Sequence, residues 1–385
     1  MKKRFSITAP FVYGILVFVA MVVFGVASVL GLIWNGQLGA MLTDTDRESV
    51  LCDAMPARDF CLIPVRLMNR ILGRRYFPSE NYYMADNGQL LPGSTAQIDP
   101  AEYAENLAML QAECEAEGKN FLYVLCPGKP MSDEDVREYG VSCFRNENAD
   151  RLIAELEERN VPCLDLRPLL KERSGGDLYR WFYKSDHHWT ADAGMEAARL
   201  IAGELNRRYS CGLDEQMLSP ENMTRTMVDQ EWVGEMGQKT LGIFGPHEDH
   251  MVVWEPRVSC SFHMTDPQRR MDQDGGFELF FYKEILTENS VLRKGSLYYY
   301  FMQGNASLVQ IDNRLLANGN LFVIKDSFSN VVIPYLSLTS AHVTTWDMRE
   351  SKEVKTYLRA HPEIQTVMVM YTTSFSVKRE MNSFQ

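Results

Sequence analysis

The chain is short of basic residues: 39 Lys and Arg stand against 51 Asp and Glu, giving a formal charge of −12 and an isoelectric point near 5.2. Nucleic-acid binding needs a basic face that displaces counterions from phosphates, so this balance argues against it. No Cys-x-x-Cys pair occurs among the eight cysteines, which leaves a zinc ribbon or a thioredoxin-like redox site without support. Internal repeats and low-complexity segments are also missing. With 45% apolar residues over 385 positions, the chain is not disordered and has enough apolar surface for one large core or two modest ones.

What is present begins with an uncharged run. Phe11 to Trp34 spans 24 positions without a charge and follows Lys2, Lys3 and Arg4. That is long enough to cross a hydrocarbon core as a helix, with the basic flank (residues 1–10) held in the cytoplasm. A cleaved signal peptide is the alternative, but its apolar region would be unusually long and no small-x-small site closes it. The expectation is a single-pass cell-membrane protein with an anchor at 11–34 and an extracytoplasmic remainder. All eight cysteines fall in that exported part, which permits disulfides. Cys126 and Cys163 end apolar runs and read better as buried thiols.

Residues 35–80 read as a stalk or lead-in, and Asn87-Gly88 between two apolar runs predicts an entry hairpin over 81–91. From about residue 100, helical faces (Tyr103, Leu107, Leu110, Cys114; then Ala149, Leu152, Ile153, Leu156) alternate with short apolar strands at 121–126 and 161–166. A further amphipathic helix is expected over 191–206. The rhythm breaks over 210–315, which reads as a β-rich insertion with short aromatic runs at 251–254, 278–282 and 297–301. Alternation resumes with strands at 321–325, 342–347 and 366–371 and helices at 328–338 and 350–361. One α/β domain over 81–385, interrupted once, accounts for this pattern.

Two stretches carry chemistry. Tyr183-Lys-Ser-Asp-His-His-Trp-Thr190 offers an acid and a base, and Lys325-Asp-Ser-Phe-Ser329 offers a hydroxyl. Ser327 follows an apolar strand and precedes a helix, the place where open parallel sheets bind ligands and where backbone N–H groups can face an oxyanion. A Ser that merely caps its helix is the plainer reading. Asp186 and His188 lie two apart, so in an extended segment the carboxylate reaches the imidazole, as a general base for Ser requires. A hydrogen-bonded loop is the alternative, with Trp189 simply part of the core. His187, joined by the His247-Glu-Asp-His250 cluster, raises a zinc or manganese site. That cluster sits in the irregular insertion, where charged residues are usually solvated, and no acidic cluster precedes Asp-His-His at a strand end as phosphoesterases of that name require. No metal or cofactor is therefore expected.

The two motifs in this order, with Trp346-Asp-Met-Arg349 downstream, resemble the bacterial DHHW family, which is similar to the SGNH-hydrolase-like domains of alginate O-acetyltransferases. The resemblance covers residues 80–375. It implies a flavodoxin-like α/β/α sandwich with a mostly parallel sheet and a triad in permuted order, with Asp186 and His188 ahead of the nucleophile Ser327. Two features depart from the related SGNH pattern: Lys325 replaces the Gly that opens the nucleophile motif, and no Gly-x-Asn-Asp block occurs. Asn305 after Gly304 is a stand-in for that block or a turn residue. Arg349 is a carboxylate or phosphate ligand or a partner of Asp347.

By this resemblance the chain is expected to be an O-acetyltransferase acting on an exported polysaccharide or cell-envelope glycan, with the acetyl donor supplied by a membrane-bound O-acyltransferase. A carbohydrate esterase with the same triad is the first alternative. A non-catalytic glycan-binding scaffold, with Trp232, Trp254 and Tyr298 to Tyr300 lining a groove, is the second.

Overall fold

The computed structural model describes residues 58–77, 81–137, 139–241, 249–287 and 297–384, together with Phe18, Val19, Val22, Val23, Gly25, Val26 and Leu30. The expected anchor at 11–34 lies outside the described residues apart from those seven, which are helical. No helix among the described residues is long and apolar enough to cross a membrane. The chain divides into two units at Gly73. In the first, α1 (Arg58–Ile71) is helical within the expected stalk and leaves Val65, Met68 and Ile71 exposed.

The second unit opens with a small antiparallel sheet of β1 (Tyr76–Phe77), β2 (Tyr82–Met84) and β3 (Leu90–Pro92). The β2–β3 turn contains Asn87-Gly88, as predicted, and Gly88 has a positive φ of 79°. Next come α2 (Ala101–Ala116), β4 (Asn120–Cys126), the short α3 (Glu134–Arg137), α4 (Arg145–Glu158), β5 (Cys163–Asp165) and α5 (Leu166–Arg173). The long α6 (Ala191–Tyr209) follows. After it lie β6 (Met223–Trp232), α7 (Glu235–Thr240), β7 (Asp249–Pro256), β8 (Phe262–Asp266), β9 (Met271–Gly275) and β10 (Leu308–Asn313). The last elements are β11 (Asn320–Lys325), a 3-10 turn at Ser327–Val331, α8 (Ile333–Thr339), β12 (His342–Asp347), α9 (Val354–Ala360) and β13 (Thr366–Thr372).

Strand side chains alternate between two faces, and here both faces are apolar because each is covered by helices. Phe121, Tyr123, Leu125, Phe322, Ile324, Val367 and Val369 pack with Leu107, Leu110, Leu152 and Leu358 of α2, α4 and α9. Leu122, Val124, Leu321, Val323, Met368 and Met370 pack with Leu170, Ile201, Leu205 and Leu336 of α5, α6 and α8. The result is the expected α/β/α sandwich.

Strand order in the main sheet is β5-β4-β13-β11-β12-β10-β8-β9. The pairings from β5 to β12 are parallel. Renumbered from β11 and continued from β13 to β4, these five strands read 5-4-3-1-2, which is the flavodoxin-like order 2-1-3-4-5 seen from the other edge. The topology is thus a circular permutation, and the switch point falls between β11 and β13.

The region 210–315 is rich in strands, and most of them join the main sheet. β8, β9 and β10 extend the main sheet by three antiparallel pairings beside the four parallel ones, so the sheet is mixed, with its parallel part running from β5 to β12. Only β6 and β7 form a ribbon of their own. Of the aromatic runs, 251–254 lies in β7, but the other two are not strands. Phe277–Phe280 and Leu297–Tyr300 are 3-10 turns whose rings pack edge-on and tilted around Phe262, Phe281 and Phe301. Trp232, Tyr298 and Tyr300 are consequently core, and the groove expected of a glycan scaffold loses most of its lining. Cys114, Cys126, Cys143, Cys163, Cys211 and Cys260 are free thiols, Cys126 fully buried and Cys163 half-buried.

Helix α6 meets the Ser327 turn through its small residues. A Cβ on Gly194 would lie 2.6 Å from both Val331 Cγ2 and Val331 O, whereas one on Gly203 would meet only Glu215 Oε2 at 3.4 Å. The same substitution should therefore have opposite signs on one helix. Gly194→Ala should cost about 1–3 kcal/mol by overpacking, and Gly203→Ala should add roughly 0.4–1 kcal/mol by restricting the unfolded chain. Urea midpoints of the two variants check both.

Candidate active site

The segment 182–189 is a closed, hydrogen-bonded loop, the alternative to an extended segment. Phe182 and Trp189 form an antiparallel bridge, and Thr190 N donates to Trp181 O at 2.8 Å. Within it Asp186 Oδ1 accepts from the backbone N of His188 at 3.0 Å, an Asx turn that throws the imidazole back onto the same carboxylate. His188 Nδ1 lies 2.7 Å from Asp186 Oδ1, and His188 Nε2 lies 2.9 Å from Ser327 Oγ, 139 positions away. The three predicted residues are thus brought into one hydrogen-bonded line. The imidazole is flanked by Tyr298, stacked at 3.8 Å and 9°, and by His187 at 3.8 Å.

Ser327 begins the 3-10 turn at the carboxyl end of β11. The helix expected from residue 328 starts only at Ile333, with Pro334 in its first turn. Asp326 fixes the turn. Its Oδ1 accepts from Phe328 N at 2.9 Å, and its Oδ2 accepts from Thr372 N and Oγ1 at 2.8 and 2.9 Å, tying the ends of β11 and β13 across the switch point. Phe328 N, one of the backbone N–H groups beside Ser327, is therefore occupied. Trp189 Nε1 and Tyr298 OH both donate to Phe328 O, at 2.8 and 3.2 Å, so the loop and the turn are joined directly.

Asp186 is completely buried. Burial works to raise its pKa, but His188, His187 and the 2.8 Å donation from Glu235 N hold it well below the usual carboxylate range. Burial and the adjacent His188 pull His187 down to about 4, so at neutral pH it is uncharged. Gly234 lets Glu235 N approach, because a Cβ there would lie 2.4 Å from Asp186 Cβ and 2.7 Å from Asp186 N.

The loop has two further holders that the sequence did not reveal. Lys129 Nζ donates to Tyr183 O and, at 2.9 Å, to Asp186 O, while Asp249 accepts from Lys184 N and Ser185 N at 2.6 and 2.7 Å. Asp326, Gly234 and Tyr298 were also missed as supports. Only Asp326 had a local signal, an acidic residue at a strand-to-turn junction.

Lys325 and Asn305 are linked. Lys325 is buried, with burial drawing its ammonium down to about 8, and it donates to Asn330 Oδ1 at 2.8 Å. An ammonium can only donate, so Asn330 must turn its Nδ2 toward Asn305 Oδ1, at 3.2 Å. Asn305 Nδ2 is left without a partner among the described residues. Asn305 follows Met302, Gln303 and Gly304, all at positive φ (56°, 55° and 87°), a conformation costly for the two that are not glycine. Arg269 holds this loop by donating to the carbonyls of Met302, Gln303 and Asn305 at 2.8 to 3.0 Å.

Arg349 is exposed and pairs with Asp347, the second of the two roles expected for it: its Nε donates to Asp347 Oδ1 at 2.9 Å and its Nη2 pairs with Oδ2. Ligand atoms of Asp186, His187 and His188 lie within 4.8 Å of one another, but both His188 nitrogens are engaged, by Asp186 and by Ser327. His250 is exposed, and His247 lies outside the described residues. Cavities of about 540 and about 450 Å³ exist, and neither is lined by Ser327.

Gly234→Ala should displace Asp186 with the fold intact. A shift of about 1 Å at a reacting group can cost on the order of 100-fold in rate. Ester turnover should fall by at least that order while the far-ultraviolet circular dichroism stays unchanged.

Residues 83–274 match the family described as SGNH hydrolase-like domain, acetyltransferase AlgX. No curated protein matches by sequence. Among solved structures, PatB1 of Bacillus cereus aligns with a TM-score of 0.65 at 18% identity over 79% of this chain and 99% of that one. PatB1 with a sulfonyl adduct gives 0.63 at 17% over 79% and 97%. A DHHW family protein from Eubacterium siraeum gives 0.57 at 15% over 77% and 94%. At these identities the structural likeness concerns the fold. The matched stretch contains the motif at 183–190, and this part of the chain is similar to the SGNH hydrolase-like, AlgX-type family; the motif at 325–336 lies downstream of it.

Proposed function

We propose that the protein is a membrane-anchored, extracytoplasmic O-acetyltransferase that modifies an exported polysaccharide or cell-envelope glycan through an acyl-serine. The observation that carries this reading is the line from Ser327 Oγ through His188 to buried Asp186, at 2.9 and 2.7 Å, at the carboxyl end of β11. The match to an acetyltransferase family supports transfer over hydrolysis.

In the first half-reaction His188 Nε2 takes the Ser327 proton as Oγ attacks the acetyl carbonyl. The donor's leaving oxygen then takes that proton back, and the acetyl group remains on Oγ. In the second, a glycan hydroxyl loses its proton to His188 and attacks the acyl-serine, which restores Ser327. Asp186 holds the imidazole in the tautomer with the proton on Nδ1 and steadies the imidazolium formed in each half. Asn305 Nδ2, which Lys325 and Asn330 orient, is the side-chain donor proposed for the developing oxyanion. A membrane-bound O-acyltransferase that presents acetyl outside the cytoplasm is the proposed donor partner. Arg349 and His187 have no chemical step here: one is tied to Asp347, and the other is a neutral wall beside His188.

The PatB1 relative has been solved with a sulfonyl adduct, so a sulfonyl fluoride is a suitable probe here. Incubation with phenylmethanesulfonyl fluoride should add one sulfonyl group at Ser327, read by peptide mass spectrometry, and Ser327→Ala should abolish it. With a soluble acetyl ester and an acceptor glycan the protein should produce acetylated sugar. Acetate release with no acetylated sugar would make it an esterase, and no adduct at Ser327 would remove the nucleophile. Asp186→Asn should lower kcat by on the order of 10⁴, the scale known for the equivalent exchange in a serine protease triad.

A further inference from the structure

Lys129 is a lysine with no place in the chemistry above, and it is 2% exposed. No carboxylate lies within ion-pair distance of it among the described residues. Its Nζ faces four backbone carbonyls: Leu90 O at 3.2 Å, Tyr183 O, Lys184 O at 3.3 Å and Asp186 O at 2.9 Å. Three of the four belong to the segment that ends in the buried carboxylate. From another element, Asp249 takes the amides of the same segment, accepting from Lys184 N, Ser185 N and the Ser185 hydroxyl. A cation thus holds the carbonyls of residues 183, 184 and 186, and an anion holds the N–H groups of residues 184 and 185.

Such a site is sensitive to one proton. An ammonium brings three hydrogens and a full charge to carbonyl oxygens, all of them attracted. The neutral amine brings two hydrogens and a lone pair that faces oxygen. Losing the proton turns at least one attraction into a repulsion beside the Asp186 backbone, and Asp186 has no slack, because its carboxylate is engaged by His188 and by Glu235 N.

We propose that Lys129 is the positioning residue that keeps Asp186 and His188 in line with Ser327, and that the line holds only while its amine is protonated. This rests on the reading of Ser327 as the nucleophile. The charges that face Lys129 are Asp249 at the start of β7 and Asp186 in the loop. Burial pulls its pKa down to about 7, and these two carboxylates oppose the fall. From β3 only the Leu90 carbonyl reaches it. His187 is the other titratable neighbour that feels its charge, and it is neutral above about pH 4.

The test is the pH dependence of the second-order rate of Ser327 modification by phenylmethanesulfonyl fluoride, measured on the full chain and corrected for reagent hydrolysis. The wild type should lose reactivity on the alkaline side. In Asp249→Asn that loss should move to lower pH, because the carboxylate that holds the proton on Lys129 is gone. In Lys129→Arg it should vanish, because a guanidinium does not titrate there. Should the arginine not fit, the shift in Asp249→Asn decides alone. A profile that stays high through the alkaline range, or a loss that does not move in Asp249→Asn, would overturn the inference while leaving Ser327 the nucleophile. Absence of modification at every pH would overturn the nucleophile itself, and with it this inference.

Discussion

A carboxylate with no exposure must have every lone pair answered, and the architecture around residues 182–189 follows from answering those of Asp186. Its Oδ1 takes the His188 amide and ring, and its Oδ2 takes the Glu235 amide. Each donor imposes a condition elsewhere. The Asx turn closes the loop on the Phe182–Trp189 bridge, and the Glu235 amide can approach only because residue 234 has no side chain. Buried ions of this kind are seldom a source of net stability, since desolvation offsets much of the attraction. Their value here is geometric: a carboxylate held by three donors cannot drift away from the imidazole it orients.

The same logic repeats around the nucleophile. Asp326, buried and with its pKa raised by that burial, joins the start of the Ser327 turn to the end of β13. The two strands flank the switch point, where parallel strands diverge and leave a crevice at their carboxyl ends. Trp189 and Tyr298 then converge on Phe328 O, so the loop bearing the base and the turn bearing the hydroxyl share one acceptor. Nearby, Arg269 secures the left-handed run that ends in Asn305. Strain of this sort persists where surrounding contacts over-determine the backbone.

Much of the scaffold was legible because it is written in local periodicity. The runs at 121–126, 321–325 and 366–371 are apolar on both faces, and the helices between them show one apolar stripe each; both patterns survive any tertiary arrangement. The 210–315 region was harder. Strands β8 and β10 alternate in burial and pair with one another, but nothing local says that β10 also pairs with β12 and so joins them to the main sheet. Aromatic clusters such as Leu297–Tyr300 mislead for a related reason: high strand propensity reports large rings that need burial, and a tight turn buries them equally well.

The sequence by itself determined which residues have the chemistry: an Asp and a His two apart, and a Ser placed where an apolar strand gives way to a turn. It also determined, through strand alternation, that the Ser would lie at the carboxyl edge of a parallel sheet. Tertiary structure alone decided that 139 positions collapse to 2.9 Å, that His187 stands beside the line and not in it, and that Arg349 faces Asp347. It alone brought Lys129 and Asp249 to opposite groups of one loop. The reason is that a buried charge is positioned by partners far away in the chain, and its solvation is a property of the packed interior that no local pattern encodes.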